Sequence, residues 1–110
     1  MASKDFFVHE DERRLFIEWI EDTQVSSLKV LIMKSDNVVG NHYHKKKDEY
    51  FFLLSGTAKK VVIGTEEYNN ISAPFKWVVP KNTPHSFDLI NGSILLSAAT
   101  KPFEPGDDYV

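Results

Sequence analysis

The chain has 110 residues, a net charge of −3 from 13 basic and 16 acidic side chains, and no cysteine. Disulfide bonds, thiolate metal sites and a cysteine nucleophile are therefore excluded, and the lack of a basic excess argues against a nucleic-acid partner. No apolar run approaches the roughly 18 residues that a membrane helix needs, and the N-terminus lacks the apolar stretch of a secretory signal. These observations predict one soluble, cytoplasmic domain over residues 1–110 that binds neither nucleic acid nor membrane.

Alternation with a period of two residues dominates the sequence, and a helical period is hard to find. Short strands are predicted at residues 15–20, 27–33, 38–44, 49–55, 58–63, 75–79, 85–90 and 94–99. Eight or so short strands without a convincing helix are typical of an all-β sandwich or barrel.

Turn-forming residues separate the predicted strands. Asn91-Gly92 is typical of a tight hairpin turn because both residues tolerate a positive φ. Residues 68–70, with two adjacent asparagines, are also interpreted as a turn. About ten residues at each end lie outside the predicted barrel: an N-terminal arm at 1–10 and a proline-containing tail at 101–110.

Two histidines lie one residue apart on a predicted strand, so His42 and His44 leave the same face roughly 7 Å apart. Glu49 opens the next predicted strand and His85 a later one, from which both could complete a shared site. Three imidazoles and one carboxylate suit Fe, Mn, Ni, Co, Zn or Cu better than Mg or Ca. We therefore predict that these four residues bind one divalent transition metal. A lone histidine is more often a surface or core residue, and His9 is assigned no role.

The spacing around these residues resembles the two motifs of the cupin superfamily. The two neighbouring histidines, Glu49 and the closing Gly56 match the first motif. Residues 80–85 match the second, with Asn82 in place of the usual glycine. Asparagine is the next best residue for a left-handed turn, so the replacement is physically mild. The resemblance implies an all-β double-stranded β-helix, the jelly-roll barrel of the cupins.

Inward-facing residues on the strands beside the histidines are predicted to form a pocket for a small-molecule ligand. We assign Phe51, Leu53, Trp77 and Phe87 to this substrate pocket, and core packing is the alternative for each. Residues 45–47 are three consecutive lysines in the loop between the strands that carry the histidines and Glu49. They are interpreted as a solvated loop tip or as a basic lip for an anionic substrate.

Both faces of the predicted strand 49–55 are apolar or aromatic, so the face outside the barrel needs a cover. The N-terminal strands and a second subunit are the two candidates for this cover. Cupins commonly dimerise, and we therefore predict a homodimer.

The segment from Gly40 to Phe51 resembles cupins that process nucleotide-linked deoxysugars and capsular-polysaccharide precursors. This resemblance implies isomerisation or epimerisation of a small carbonyl or sugar-type ligand, with His42, His44 and Glu49 as catalytic residues. A bound metal would polarise the carbonyl group in such a reaction. An Fe(II)-dependent dioxygenase and a non-catalytic small-molecule-binding cupin are the alternatives.

Overall fold

A computed structural model of the protein describes residues 2–3, 6–102, 104–107 and 109. The strands of these ranges, in chain order, are β1 (Ala2–Ser3), β2 (Phe7–Glu10), β3 (Leu15–Glu18), β4 (Ser27–Ile32), β5 (Asn37–His42), β6 (Glu49–Ser55), β7 (Thr57–Ile63), β8 (Glu66–Ser72), β9 (Phe75–Val79), β10 (His85–Leu89) and β11 (Ile94–Ala99). Over the same ranges there is no helix long and apolar enough to cross a membrane.

Two antiparallel sheets pack face to face as a jelly roll. The five-stranded sheet has the order β1-β9-β6-β11-β4, and the four-stranded sheet has the order β5-β10-β7-β8. The hairpin β2–β3 is a separate two-stranded sheet. The predicted all-β jelly-roll barrel is confirmed.

Three observed strands, β1, β2 and β8, lie outside the predicted ones. The interpretation of residues 68–70 as a turn is wrong, because they lie inside β8. Asn70 has a φ of 54° and is skipped in the register with β7, so its left-handed preference is satisfied within a strand. The turn at Asn91-Gly92 exists, but it connects strands of two different sheets instead of closing a hairpin.

The interior of the barrel is filled at one end and polar at the other. Along β6 the inward positions are Glu49, Phe51 and Leu53, and all three are buried. Along β10 the inward positions follow the same order, with a histidine, then Phe87, then Leu89. Leu53 and Leu89 lie one layer beyond Phe51 and Phe87. They pack into the core together with Val61, Ile63, Trp77, Val79 and Leu95.

The outer face of β6 is covered in part by the N-terminal segment. The ring of Trp19 stacks on Phe52 with 5.2 Å between ring centroids, and Phe6 packs edge-on against the same ring at 5.6 Å. Phe52 is consequently buried, whereas Leu54 on the same face remains 47% exposed. The N-terminal segment, one of the two predicted covers, therefore covers Phe52 but leaves Leu54 exposed.

Candidate active site

Four side chains converge at the polar end of the barrel. His42 and His85 are register partners on the adjacent strands β5 and β10, and their ring centroids lie 4.8 Å apart. Glu49 reaches the same point from the other sheet, as the first residue of β6. His44 follows the end of β5, with its ring 4.6 Å from that of His42. One nitrogen or oxygen atom from each of the four lies within 4.8 Å of the others.

Two backbone positions with positive φ allow this convergence. Gly40 has a φ of 86°, and a Cβ there would lie 3.1 Å from the carbonyl oxygen of His85. Asn82 has a φ of 62°, and its backbone N–H donates to the carbonyl of His44. Asn82 therefore takes the left-handed conformation expected of the glycine that it replaces, and its turn is tied to the histidine segment.

Backbone carbonyls fix the orientation of two of the imidazole rings. Nδ1 of His44 donates to the carbonyl of Asp107 at 2.7 Å, and Nδ1 of His85 lies 3.2 Å from the carbonyl of Thr83. A carbonyl oxygen only accepts hydrogen bonds, so Nδ1 carries a proton in both rings. The Nε2 atoms of the two rings then face Oε1 of Glu49, at 2.9 Å for His44 and 3.5 Å for His85.

The surroundings of these groups determine which of them can accept a proton. Burial lowers the pKa of His85 below its ordinary value of 6.5, although the bond to Thr83 and the charge of Glu49 oppose the shift. The His85 ring is therefore neutral at neutral pH, and its Nε2 presents a lone pair to the carboxylate. Nε2 of His44 lies 2.9 Å from Oε1 of Glu49, and this oxygen is buried without a hydrogen-bond partner. The cluster therefore places a buried carboxylate oxygen and two imidazole nitrogens close together, as groups that can exchange protons with a ligand.

The cluster forms one wall of a cavity of about 420 Å³. Phe51 and Phe87, two of the predicted pocket residues, line this cavity. The other two, Leu53 and Trp77, do not line it and are fully buried in the core. Trp77 packs edge-on against Phe87 at 5.5 Å, which places it one layer behind the cavity.

Three polar residues of the cavity wall lie outside the predicted site. Lys29, Lys47 and Ser97 also line the cavity, and the Ser97 hydroxyl donates to Oε2 of Glu49 at 3.3 Å. The three lysines at 45–47 are divided, since Lys45 and Lys46 are exposed whereas Lys47 is buried. The interpretation as a solvated loop tip therefore holds for the first two lysines and is wrong for the third.

The C-terminal segment contacts the site through the residues around His44. The Asp107 side chain is buried, and it accepts a hydrogen bond from the backbone N–H of Lys45 at 3.1 Å. Tyr109 pairs with Tyr43 through two backbone hydrogen bonds, and their rings stack at 5.3 Å. No sequence signal separates Asp107 from the other acidic residues of this segment, so its contact with a site histidine was not predicted.

Comparison with known proteins identifies the family. The model of the polysaccharide biosynthesis C-terminal domain matches residues 9–90, which include all four clustered residues. The chain belongs to the polysaccharide biosynthesis C-terminal domain family. No curated protein is similar enough in sequence to count as a match.

Solved structures show that this polysaccharide biosynthesis C-terminal domain has the cupin-type barrel fold that the sequence motifs predicted. A dTDP-4-dehydrorhamnose 3,5-epimerase from Bacillus anthracis has a TM-score of 0.80 at 16% identity, over 94% of this chain and 73% of that one. A 3,4-ketoisomerase from Helicobacter canadensis has a TM-score of 0.80 at 18% identity, over 94% and 84%. A capsular polysaccharide assembling protein from Staphylococcus aureus has a TM-score of 0.67 at 23% identity. The chain spans only 32% of the length of that last protein.

The prediction of a divalent transition metal as cofactor is wrong. Several of the structural neighbours are sugar epimerases of a type that acts without a metal cofactor. The Glu49 carboxylate is in contact with two imidazoles and accepts the hydroxyl hydrogen bond of Ser97, so charge and hydrogen bonding within the protein hold the cluster together.

Proposed function

We propose that this domain isomerises or epimerises a small keto-sugar by acid–base chemistry at His42, His44 and Glu49. The observation that carries the proposal is the 2.9 Å contact between Nε2 of His44 and Oε1 of Glu49 at the wall of a cavity of about 420 Å³. A cavity of this size accommodates a sugar ring with its substituents. A cluster of groups that can exchange protons meets the requirement for moving hydrogen beside a carbonyl group.

The proposed reaction needs no oxidant, because it only relocates a proton. An imidazole, His42 in this proposal, removes the proton from the carbon next to the carbonyl, and the electron pair moves into a carbon–carbon double bond. The carbonyl oxygen becomes an enolate and receives a proton from the His44–Glu49 pair. An epimer forms when a proton returns to the opposite face of that carbon and the enol oxygen gives its proton back to the His44–Glu49 pair. An isomer forms when the proton returns instead to the former carbonyl carbon and the hydroxyl on the neighbouring carbon gives its proton to the pair, so that the carbonyl moves by one carbon.

The solved neighbours support this class of reaction. Two of them are described as a dTDP-4-dehydrorhamnose 3,5-epimerase and a 3,4-ketoisomerase, and the epimerase was solved with TDP and pyrophosphate bound. The match to a polysaccharide biosynthesis family is in keeping with a sugar substrate. We therefore propose a nucleotide-linked 4-keto-sugar as the first substrate to test.

Solvent deuterium exchange tests the proposal. In D2O the domain is expected to incorporate deuterium into a nucleotide-linked 4-keto-sugar at the carbon beside the carbonyl, as detected by NMR or mass spectrometry. His44→Ala is expected to lower the exchange rate by about 10²–10⁴-fold, the range for loss of a general acid or base. His9→Ala is the matched control, because His9 is exposed and outside the cavity.

Two results would contradict the proposal. Absence of exchange across a panel of nucleotide-linked keto-sugars that do bind would favour a non-catalytic binding domain. Equal exchange rates for the wild type and His44→Ala would exclude the cluster as the source of the proton.

We also propose that the domain forms a homodimer through the outer face of β4. This strand is at the edge of the five-stranded sheet. Its outer face carries Leu28, Val30 and Ile32, which are 74%, 63% and 64% exposed. Natural edge strands are usually protected by charge, proline or a covering element, and a continuous apolar row is unusual on a monomer.

Sedimentation of matched variants tests the dimer. Val30→Lys is expected to convert the protein to a monomer, because it places a charge in the middle of the apolar row. Val38→Lys is the control, since Val38 is also exposed but lies on β5 at the edge of the other sheet. A monomeric wild type, or a Val30→Lys protein that remains dimeric, would contradict this interface.

A further inference from the structure

Lys47 is a buried cation without a counter-ion. Its side chain is 3% exposed, and it lines the cavity beside the acid–base cluster. Within the described ranges its ammonium group has no hydrogen-bond or ion-pair partner. By contrast, the neighbouring Lys46 is exposed and pairs with Glu104 at 2.7 Å.

The side chain of Lys47 is buried, but its ammonium nitrogen is not one of the fully enclosed polar atoms without a partner, so it opens onto the cavity. Partial removal of a lysine charge from water is unfavourable unless an anion or hydrogen-bond acceptors compensate for it. Since Lys47 is almost completely buried, the cavity that it lines is the space from which a compensating anion can reach it. Lys29, from β4, adds a second positive charge to the same cavity.

The positive charge is local. The protein as a whole carries a net charge of −3, yet the cavity contains two lysines and a single carboxylate, which already contacts two imidazoles. A cavity of this kind attracts and orients an anionic group, and a neutral sugar would leave Lys47 uncompensated.

We propose that Lys47, together with Lys29, forms an anion subsite that binds a carboxylate or phosphate group of the ligand. The inference rests on the proposed function only in that the cavity binds a small molecule; it does not require catalysis. Such a subsite would restrict the ligand to sugars or related molecules that carry an oxyanion close to the carbon atom from which the proton is removed.

Binding of simple probes tests the subsite without any turnover. Inorganic phosphate, acetate and the neutral methyl glucoside are titrated into 15N-labelled protein, and the dissociation constants are measured by NMR from the resonances of cavity residues. At least one of the two anions is expected to bind, and Lys47→Met is expected to weaken it by about 10- to 100-fold, the range for loss of a hydrogen bond to a charged group. Lys34→Met is the matched control, because Lys34 is exposed and outside the cavity.

A stability measurement distinguishes a ligand-binding lysine from a structural one. Lys47→Met removes a buried charge but keeps the unbranched chain, so the free energy of unfolding is expected to stay the same or to rise. A clear loss of stability would indicate a structural role, and Lys47→Arg then provides a charged variant for the binding test.

The probes also separate the possible ligands. Binding of phosphate alone indicates a phosphorylated ligand, and binding of acetate alone indicates a carboxylate. The proposal is overturned if neither anion binds the wild type, or if Lys47→Met binds the anions as tightly as Lys34→Met. Anion binding without deuterium exchange would support the subsite and exclude the proposed reaction. Deuterium exchange without Lys47-dependent anion binding would support the reaction and exclude the subsite.

Discussion

The two ends of the barrel interior are built from the same strands but have opposite chemistry. On β6 the chain passes from Glu49 at the cavity to Leu53 in the core within five residues. On β10 it passes from His85 to Leu89 over the same distance. Below, these regions are called the polar end and the packed end. The packed end is filled with apolar side chains, whereas the polar end holds a cavity with buried histidines, a carboxylate and a lysine.

Because of this difference, stability and function depend on different residues of the same strand. Burial of an aliphatic side chain such as Leu53 contributes favourably to folding, whereas burial of ionisable groups such as Glu49 and Lys47 contributes little or is unfavourable. The packed end therefore provides the stability that allows the polar end to keep groups that oppose folding. If this division is correct, substitutions two layers apart on one strand will affect different properties.

The largest effect is expected for Glu49→Gln at the polar end. Glutamine keeps the size of the side chain but cannot exchange a proton with a ligand. The rate of solvent deuterium exchange should fall by about 10²–10⁴-fold while the circular dichroism spectrum and the melting temperature stay close to those of the wild type. A large fall in the melting temperature would show that the carboxylate is mainly structural.

A complementary effect is expected for Leu53→Ala at the packed end. The leucine is fully buried, and its truncation should lower the free energy of unfolding by about 2–5 kcal/mol, measured by denaturant titration. The exchange rate per folded molecule should not change. Leu54→Ala is the control, since Leu54 faces solvent and should change stability by less than about 0.5 kcal/mol.

The same division explains what the sequence reveals. His42 and His44 are two residues apart, so the period of a strand predicts that their side chains leave the same face, whereas Glu49 was predicted from the spacing of the first cupin motif. His85 was predicted from the resemblance of residues 80–85 to the second cupin motif, in which Asn82 keeps the left-handed conformation of the usual glycine. The sequence displays these spacings directly, and the family resemblance supplies the long-range contact between them.

Other features depend on long-range packing and were missed or misplaced. Alternation shows that Leu53 and Trp77 point inward, but not how far along the barrel they lie, so the sequence leaves pocket and core open at these positions and the structure places both in the core. Lys47 looks the same in sequence as its two exposed neighbours. The contact of Asp107 with His44 joins residues 63 positions apart, and no periodic pattern records such a contact.

A smaller effect is expected when the C-terminal contact is removed. Deletion of residues 104–110 takes away the carbonyl that orients the His44 ring, and the exchange rate should fall by about 10- to 100-fold, as for other partners that orient site histidines. Asp107→Asn keeps the backbone carbonyl and a side-chain acceptor for Lys45, so it should retain nearly the full rate. Equal rates for the deletion and the wild type would mean that the segment does not position His44.

The smallest effect concerns the pH dependence of stability. Burial lowers the pKa of His85 below 6.5, so the unfolded chain binds this proton more readily than the folded protein does. The contribution of His85 to stability is therefore fully present above pH 6.5 and is lost as the pH falls from that value to the lowered pKa. Denaturant titrations between pH 5 and 8 should show a weaker loss of stability on acidification for His85→Gln than for the wild type. A steeper loss in the variant would contradict this sign.

The most direct test of the division compares deuterium exchange by two folded variants of β6, Glu49→Gln and Leu53→Ala, with the nucleotide-linked keto-sugar that the wild type turns over. The two proteins are compared at a temperature where both are folded, with rates expressed per folded molecule. The polar end is the site of proton transfer if Glu49→Gln loses exchange by about 10²-fold or more while Leu53→Ala keeps the wild-type rate. Retention of the wild-type exchange rate by Glu49→Gln would contradict the assignment of proton transfer to the polar end.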